Sequence, residues 1–321
     1  MKTVVILGGG GFIGGHLAKK LHNEGNRVIV ADIKPHEYFN HSDISSNFLV
    51  GDLRDKNFVD SVITLDVDEV YQLAADMGGA GYLFTGENDA EVMYNSTMIN
   101  LNVIKRCSEV GAKKVLFTSS ACVYPEYNQL DPDNPKCTES TVYPAEPDSE
   151  YGWEKLYGER LYLTFHKNHK IDTKIVRLHN VFGPMGTWMG GKEKAPAAIC
   201  RKVAETPSGG TIEIWGDGLQ TRSFLYIDEC VEGLTRIMNS NTNKPLNLGS
   251  EELISINDFT KLIIKISGKK INIKHIDGPI GVRGRTSDNN LIKNTIGWAP
   301  IQELKKGLVN TYNWINTQVN G

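Results

Sequence analysis

Short runs of β-branched and aliphatic residues alternate along the first half of the chain with stretches in which apolar residues recur every three to four positions. Residues 2–7 predict a strand that enters the segment Gly8-Gly9-Gly10-Gly11-Phe12-Ile13-Gly14, and the spacing of Ile13, Leu17 and Leu21 predicts a helix ending near Gly25. Residues 27–31, closing on Asp32, residues 48–50, followed by Asp52, and residues 69–75 read as the next three strands. A helix over about 88–110, a strand at 114–119, a long helix from Tyr151 to about Asn168 and a strand at 174–178 continue the alternation. Such βα repetition predicts an α/β fold with a doubly wound parallel sheet, whose ligands bind outside the carboxyl ends of the strands. Ser119 and Ser120 fall at such an end.

The alternation stops at Asn180, which opens a glycine- and proline-rich loop to Pro196. Beyond it the pattern predicts a helix at about 196–204, a strand at 212–215, a turn at Gly216-Asp217-Gly218 and short elements from Ser255 onward. The expected division is a first domain of residues 1–178 plus 223–250, and a smaller α/β domain of 179–222 plus 251–321. With no internal repeat or low-complexity linker, the second is expected to interleave with the first over the sheet's carboxyl edge.

Composition narrows the classes of function. Hydrophobic residues at 40% and charged residues at 23% are ordinary for a folded enzyme, and a net charge of −3 offers no basic field for nucleic acid. No apolar run reaches the roughly 20 residues of a spanning helix, and the apolar start is too short for a secretory signal. The expectation is a cytoplasmic protein with neither nucleic-acid nor membrane partners. Its five cysteines include no Cys-x-x-Cys pair, so neither a disulfide framework nor a metal site is expected.

The candidate chemistry begins at the glycine segment. Gly8, Gly11 and Gly14 follow a strand and open a helix, where glycine lets the backbone approach a pyrophosphate and the helix offers its N-terminal amides. Asp32, ending the second strand, is placed to accept both adenosine ribose hydroxyls and to repel a 2′-phosphate, so NAD is expected rather than NADP. Lys34 reads as a solvated neighbour. Asp52 reads either as an adenine contact or as a strand-end cap.

Tyr151 and Lys155 lie four apart on a predicted helix and so share one face. An adjacent ammonium and a nicotinamide cation would both favour the phenolate, which can take a proton from a sugar hydroxyl while Ser120 hydrogen-bonds the reacting oxygen. Cys122, two residues after Ser120, is surplus to a dehydrogenase. It reads either as a thiol base for proton transfer at carbon or as a small buried apolar residue. Cys107, Cys137, Cys200 and Cys230 have no comparable context.

Together these motifs resemble the extended short-chain dehydrogenase/reductase family, whose sugar-nucleotide members oxidise a hexose ring carbon and act on the resulting ketone. The resemblance covers the whole chain. It narrows, through Ala74 to Gly79, Ser119 to Pro125, Gly186-Thr187-Trp188 with Gly190 to Pro196, Trp215 to Phe224 and Gly281 to Asn289, to the branch that epimerises GDP-mannose at C3 and C5. It implies NAD held by Gly8, Gly11, Phe12, Ile13, Gly14, Asp32, Asp52, Leu53, Ala74, Tyr151 and Lys155. It implies a GDP-sugar substrate against Gly78, Ser120, Ala121, Cys122, Asn180, Glu193, Lys194, Ala195, Lys202, Gln220, Thr221, Arg222 and Arg285. Lys194 is carried over as the acid opposite Cys122, with Lys192 as the residue it could be confused with, and Arg222 and Arg285 as diphosphate clamps. A homodimer through two helices of the sheet domain is implied as well.

Phe182, where the family often has tyrosine, and Met189, where it has a basic residue, depart from the pattern. Two other readings stand beside the first: a GDP-4-keto-6-deoxyhexose epimerase/reductase, and a non-catalytic NAD-binding scaffold.

Overall fold

A computed structural model describes residues 1–321. Six of the strands that the hydrophobic runs predict lie side by side: β1 (Thr3–Leu7), β2 (Arg27–Asp32), β3 (Asn47–Val50), β4 (Glu69–Gln72), β5 (Lys114–Ser120) and β6 (Asp172–Leu178). A seventh, Leu246–Leu248, adds outside β6, giving the order Leu246–Leu248, β6, β5, β4, β1, β2, β3. Every pairing is parallel. The chain runs outward from β1 through β2 to β3, then returns to β4 on the other side of β1, so a crevice opens beyond Leu7 and Gln72.

The pleat sends alternate side chains of β1 to opposite faces. Val4 and Ile6 pack with Leu17, Ala18 and Leu21 of the helix Phe12–Asn23 and with Leu234 and Ile237 of the helix Ile227–Met238. Val5 and Leu7 pack with Val59 and Val62 of the helix Lys56–Val62, Val103 and Ile104 of Asp89–Val110, and Tyr162 of Glu150–His169. β4 ends at Gln72 rather than at residue 75 because the Gln72 side chain takes over the backbone beyond it. It donates to Ala74 O at 2.9 Å and accepts from Ala74 N at 3.2 Å, which turns the chain out of the ladder.

Over the carboxyl edge sit the helices Ala195–Glu205, Ile256–Ser267 and Leu304–Asn320, with three small sheets. Thr211–Trp215 pairs in parallel with Asn272–Ile276, and Thr221–Ser223 lies between Leu253–Ser255 and Gly284–Arg285. Val181–Phe182 pairs with Leu225–Tyr226, directly across the expected domain division. One cluster of buried residues joins Ile6 in the main sheet to Ile199, Ile214, Phe259 and Leu308 above it, so the two regions share a core.

Candidate active site

The glycine segment lies at the mouth of the crevice and has no room for side chains. Gly8 has φ +87°, and a Cβ there would come within 2.7 Å of Ala74 N; one at Gly14 would meet Gly8 O at 2.2 Å. Gly10, which falls outside the expected glycine spacing, is as tightly held: a Cβ would sit 2.2 Å from Lys34 O. Gly11 caps the helix Phe12–Asn23 with no side-chain hydrogen bond, so the first-turn amides face the crevice without a protein acceptor.

Asp32 accepts from Gly10 N at 2.9 Å and from Lys34 N at 3.1 Å. Burial pushes its carboxyl above the ordinary range, against those backbone donors. A cradle closed to any Cβ, open helix amides and a carboxylate at the end of β2 fit the pyrophosphate and adenosine ribose of NAD. The Lys34 ammonium turns to Glu37 at 3.2 Å and is solvated. Asp52 is committed to Arg54, whose Nη2 lies 2.6 Å away and whose guanidinium holds the carboxyl below its usual range. The pairing orients the half-exposed carboxyl at the end of β3, as either a strand-end cap or an adenine contact requires. Leu53 is buried beside it, and the Phe12 ring fills the space next to Gly183 and Gly186.

The helix Glu150–His169 begins at a Ser149 cap and presses its first turn onto the end of β5. At Gly152 a Cβ would meet Cys122 O at 2.3 Å. This close approach brings Tyr151 beside the three-residue turn Ala121–Val123, which Ser120 Oγ caps by accepting from Cys122 N at 3.2 Å. Burial pushes the Tyr151 phenol up, Cys122 and Glu154 add to the rise, and the Ser120 hydroxyl opposes it. Lys155 is buried with its ammonium 5.6 Å from the Tyr151 ring centre. Its ionic partner is the neighbouring Glu154, 3.7 Å away.

Tyr151, Ser120 and Cys122 form one wall of a cavity of about 410 Å³ between the sheet and the upper region. Gly78, Ala121, Asn180, Glu193, Lys194, Ala195, Lys202, Gln220, Arg222 and Arg285 line it as expected. Thr221 does not. The strand Thr221–Ser223 alternates, so Arg222 faces the cavity while the Thr221 hydroxyl donates to Pro132 O behind it. Phe84 and Ile280 also line the cavity and carried no signal in the sequence pattern, and Trp215, which opens one of the matching segments, lines it with them.

Arg285 is not a free phosphate clamp. Its Nη1 donates to Cys122 Sγ at 3.1 Å, its Nε to Gln129 Oε1 at 2.5 Å, and its Nη2 pairs with Asp148 at 3.0 Å. Burial disfavours its charge, but Cys122 and Asp148 more than offset that, and the guanidinium is held above its ordinary range. Arg222 donates to Thr221 O at 2.8 Å and Ile280 O at 3.0 Å, and burial, with Arg285 nearby, pushes it down to about 10.

Lys194 stands just before the helix Ala195–Glu205 and faces the cavity. Burial lowers its ammonium below the usual lysine range, opposed first by Cys122 and then by Cys230. Lys192 is elsewhere: its ammonium lies 3.8 Å over the Tyr82 ring and 3.5 Å from Asp76, exposed and outside the cavity. Glu193 braces the loop between them, accepting from Gly191 N at 2.6 Å and Arg201 Nη2 at 3.0 Å. Burial pushes the thiols of Cys107 and Cys200 up to about 12 and Cys137 to about 11, and none of these three lines the cavity.

Residues 4–249 match the model of the NAD dependent epimerase/dehydratase family. A GDP-mannose 3,5-epimerase of Arabidopsis thaliana is 48% identical over 316 residues, covering 98% of this chain and 82% of the relative. Among solved structures, a UDP-glucose 4-epimerase of Thermotoga maritima with UDP-glucose superposes with a TM-score of 0.86 at 24% identity, covering 99% of this chain and 100% of that one. A UDP-glucuronic acid 4-epimerase mutant of Bacillus cereus, complexed with NAD, does so with a TM-score of 0.81 at 26% identity, covering 98% of this chain and 99% of that one. The chain belongs to the NAD dependent epimerase/dehydratase family.

Proposed function

We propose that this protein converts GDP-mannose to GDP-L-galactose and GDP-L-gulose by epimerisation at C3 and C5, with C4 transiently oxidised. The observation that carries the reading is the pairing within one cavity of a cysteine held by a guanidinium, Cys122 on Arg285, with a second proton carrier, Lys194, beside the Tyr151 and Ser120 oxidation site. Simple 4-epimerisation gives such a pair nothing to do. The similarity to the Arabidopsis enzyme over nearly the whole chain supports the same substrate.

NAD, when bound along the glycine cradle and Asp32, supplies a reversible hydride acceptor for C4. Ser120 hydrogen-bonds the C4 oxygen while Tyr151 takes its proton, and the ketone so formed makes the C–H bonds at C3 and C5 acidic. Cys122 as thiolate removes a proton from one face, leaving an enolate whose charge the C4 oxygen carries. The Lys194 ammonium returns a proton to the opposite face, which inverts the centre, and Tyr151 gives its proton back as C4 is reduced. The cycle therefore consumes no net reductant, unlike that of an epimerase/reductase.

The decisive experiment follows GDP-mannose in deuterium oxide by NMR with NAD-loaded protein. Deuterium entering at C3 and C5 is expected; no exchange at either carbon would falsify the reading. The exposed Tyr94 and Leu101 on the helix Asp89–Val110, beside Trp153 and Tyr157 on Glu150–His169, support a homodimer through these two helices. No helix is long and apolar enough to cross a membrane, and five unpaired buried cysteines accord with a reducing cytoplasm.

A further inference from the structure

Glu154 is 1% exposed and sits between the two residues of the Tyr151 and Lys155 pair. A carboxylate so placed needs partners for both oxygens. Oε1 accepts from Asn100 Nδ2 at 3.0 Å. Oε2 has no hydrogen-bond donor, and its neighbour is Lys155 Nζ at 3.7 Å. That separation is longer than a hydrogen bond, so the contact is an ion pair that leaves the N–H groups of the ammonium uncommitted to the carboxylate.

The orientation of the carboxylate is imposed from the sheet. Gln72 Nε2 donates to Asn100 Oδ1 at 3.1 Å, and Tyr162 donates to the same oxygen at 3.3 Å. With two donors on its oxygen, Asn100 can only present its amide N–H to Glu154. Gln72 is itself fixed by Ala74, against which Gly8 packs. A chain of defined polarity therefore runs from the cofactor cradle through Gln72 and Asn100 to Glu154, and ends on Lys155.

We infer that Glu154 is a positioning residue for Lys155, the counter-charge that holds the buried ammonium in place beside Tyr151 and the cofactor ribose. The inference rests on the proposed function for the reaction it serves. Lys155 is the charged group that bears on the Glu154 carboxyl, and the other titratable groups that Glu154 bears on are Tyr151 and Tyr162 of its own helix. Asn100 from the Asp89–Val110 helix, Gln72 from β4 and the Phe117 ring of β5, 5.1 Å from Lys155 Nζ, are uncharged. Burial pushes the Glu154 carboxyl above its ordinary range, and Lys155 and the Asn100 amide oppose that rise.

The polarity chain makes Glu154→Gln a sharp probe. The amide oxygen must face Asn100, which turns the amide N–H₂ toward the ammonium, donor against donor. Urea denaturation of wild type, Glu154→Gln, Lys155→Met and the double variant, all without substrate, reads the pair directly. Each single variant is expected to unfold at lower urea than wild type, and the double variant to regain most of what Glu154→Gln lost. Additive midpoints would overturn the pairing.

The second readout is the pH profile of C4 oxidation, followed as NADH absorbance in a Cys122→Ala background where proton transfer at carbon is silent. Adding Glu154→Gln is expected to move the alkaline limb down by at least one pH unit, about a tenfold loss of rate above it. An unmoved limb would reduce Glu154 to a packing residue and overturn the inference. If Glu154→Gln does not fold, Glu154→Asp replaces it: retained charge should hold the limb near the wild-type position while the rate falls, and a displaced limb refutes the inference. Wild-type protein that fails to convert GDP-mannose would defeat the proposed function and leave the denaturation result standing.

Discussion

The guanidinium of Arg285 donates to the sulfur of Cys122 at 3.1 Å although the two residues lie 163 positions apart in the chain. A guanidinium N–H is a better partner for a thiolate than for a thiol, and Asp148 and Gln129 fix the fork so that it cannot swing toward a phosphate. Arg285→Met should therefore slow deuterium exchange at C3 and C5 by about 100-fold or more, leaving C4 oxidation less affected. Removing one member of a buried ion pair also costs about 3 kcal/mol of stability. Arg285→Lys, with charge but no fork, should fall between. Equal losses of exchange and oxidation would place Arg285 on substrate binding instead.

Cys122→Ala separates oxidation from epimerisation. Tyr151, Ser120 and Lys155 remain in place, so GDP-mannose should still reduce the bound cofactor, and absorbance at the NADH wavelength should rise and persist. Exchange at C3 and C5 should disappear. Preserved exchange with oxidation lost would reverse the assigned roles.

Asp32 predicts how NAD affinity responds to acid. Burial raises its carboxyl above the ordinary range, so the proton returns at a higher pH than for a solvated aspartate. The carboxylate accepts ribose hydroxyls only when ionised, so NAD affinity should weaken as pH falls through that raised value, and Asp32→Asn should remove the dependence. Calorimetric titration across pH tests this; a flat profile in wild type would exclude Asp32 as the ribose acceptor.

The sheet is legible in the sequence because buried parallel strands such as Thr3–Leu7 are apolar on both faces and stand out as short runs. Tyr151 and Lys155 are legible because a helix fixes their spacing. The apolar spacing of Ile227, Val231, Leu234 and Met238 encodes the helix Ile227–Met238, whereas the edge strand Leu246–Leu248 has three residues, too few to show a period. Gly10 is hidden inside four consecutive glycines, and only its approach to Lys34 O reveals its role. The pairing of Arg285 with Cys122 depends on two distant parts of the chain meeting, and that of Glu154 with Lys155 on the burial of both side chains, which no local pattern encodes.

The proposed dimer rests on four exposed large side chains, Tyr94, Leu101, Trp153 and Tyr157, on two neighbouring helices. Placing a charge among them should cost nothing in the isolated chain and much in a buried interface. Tyr157→Glu is expected to shift sedimentation from dimer to monomer with the far-ultraviolet spectrum unchanged. Wild-type protein sedimenting as a monomer would remove the proposal.

Lys194 carries a functional cost that stability measurements can read. Its folded-state affinity for protons is depressed, with burial the leading cause, so the ammonium is destabilising in the native state at neutral pH. The penalty is present in full below the lowered value and fades as pH rises toward the unfolded value, where both states are neutral. Lys194→Met should therefore raise the melting temperature at neutral pH, and the gain should shrink as the solution becomes alkaline. The same variant lacks the acid on the second face while Cys122 still removes and returns protons on the first. Deuterium should thus enter without inversion, giving labelled GDP-mannose and no galactose or gulose product by NMR. Inverted product from Lys194→Met would assign the acid to another group. A melting temperature that falls at neutral pH would show that Lys194 is held by an interaction outweighing its burial.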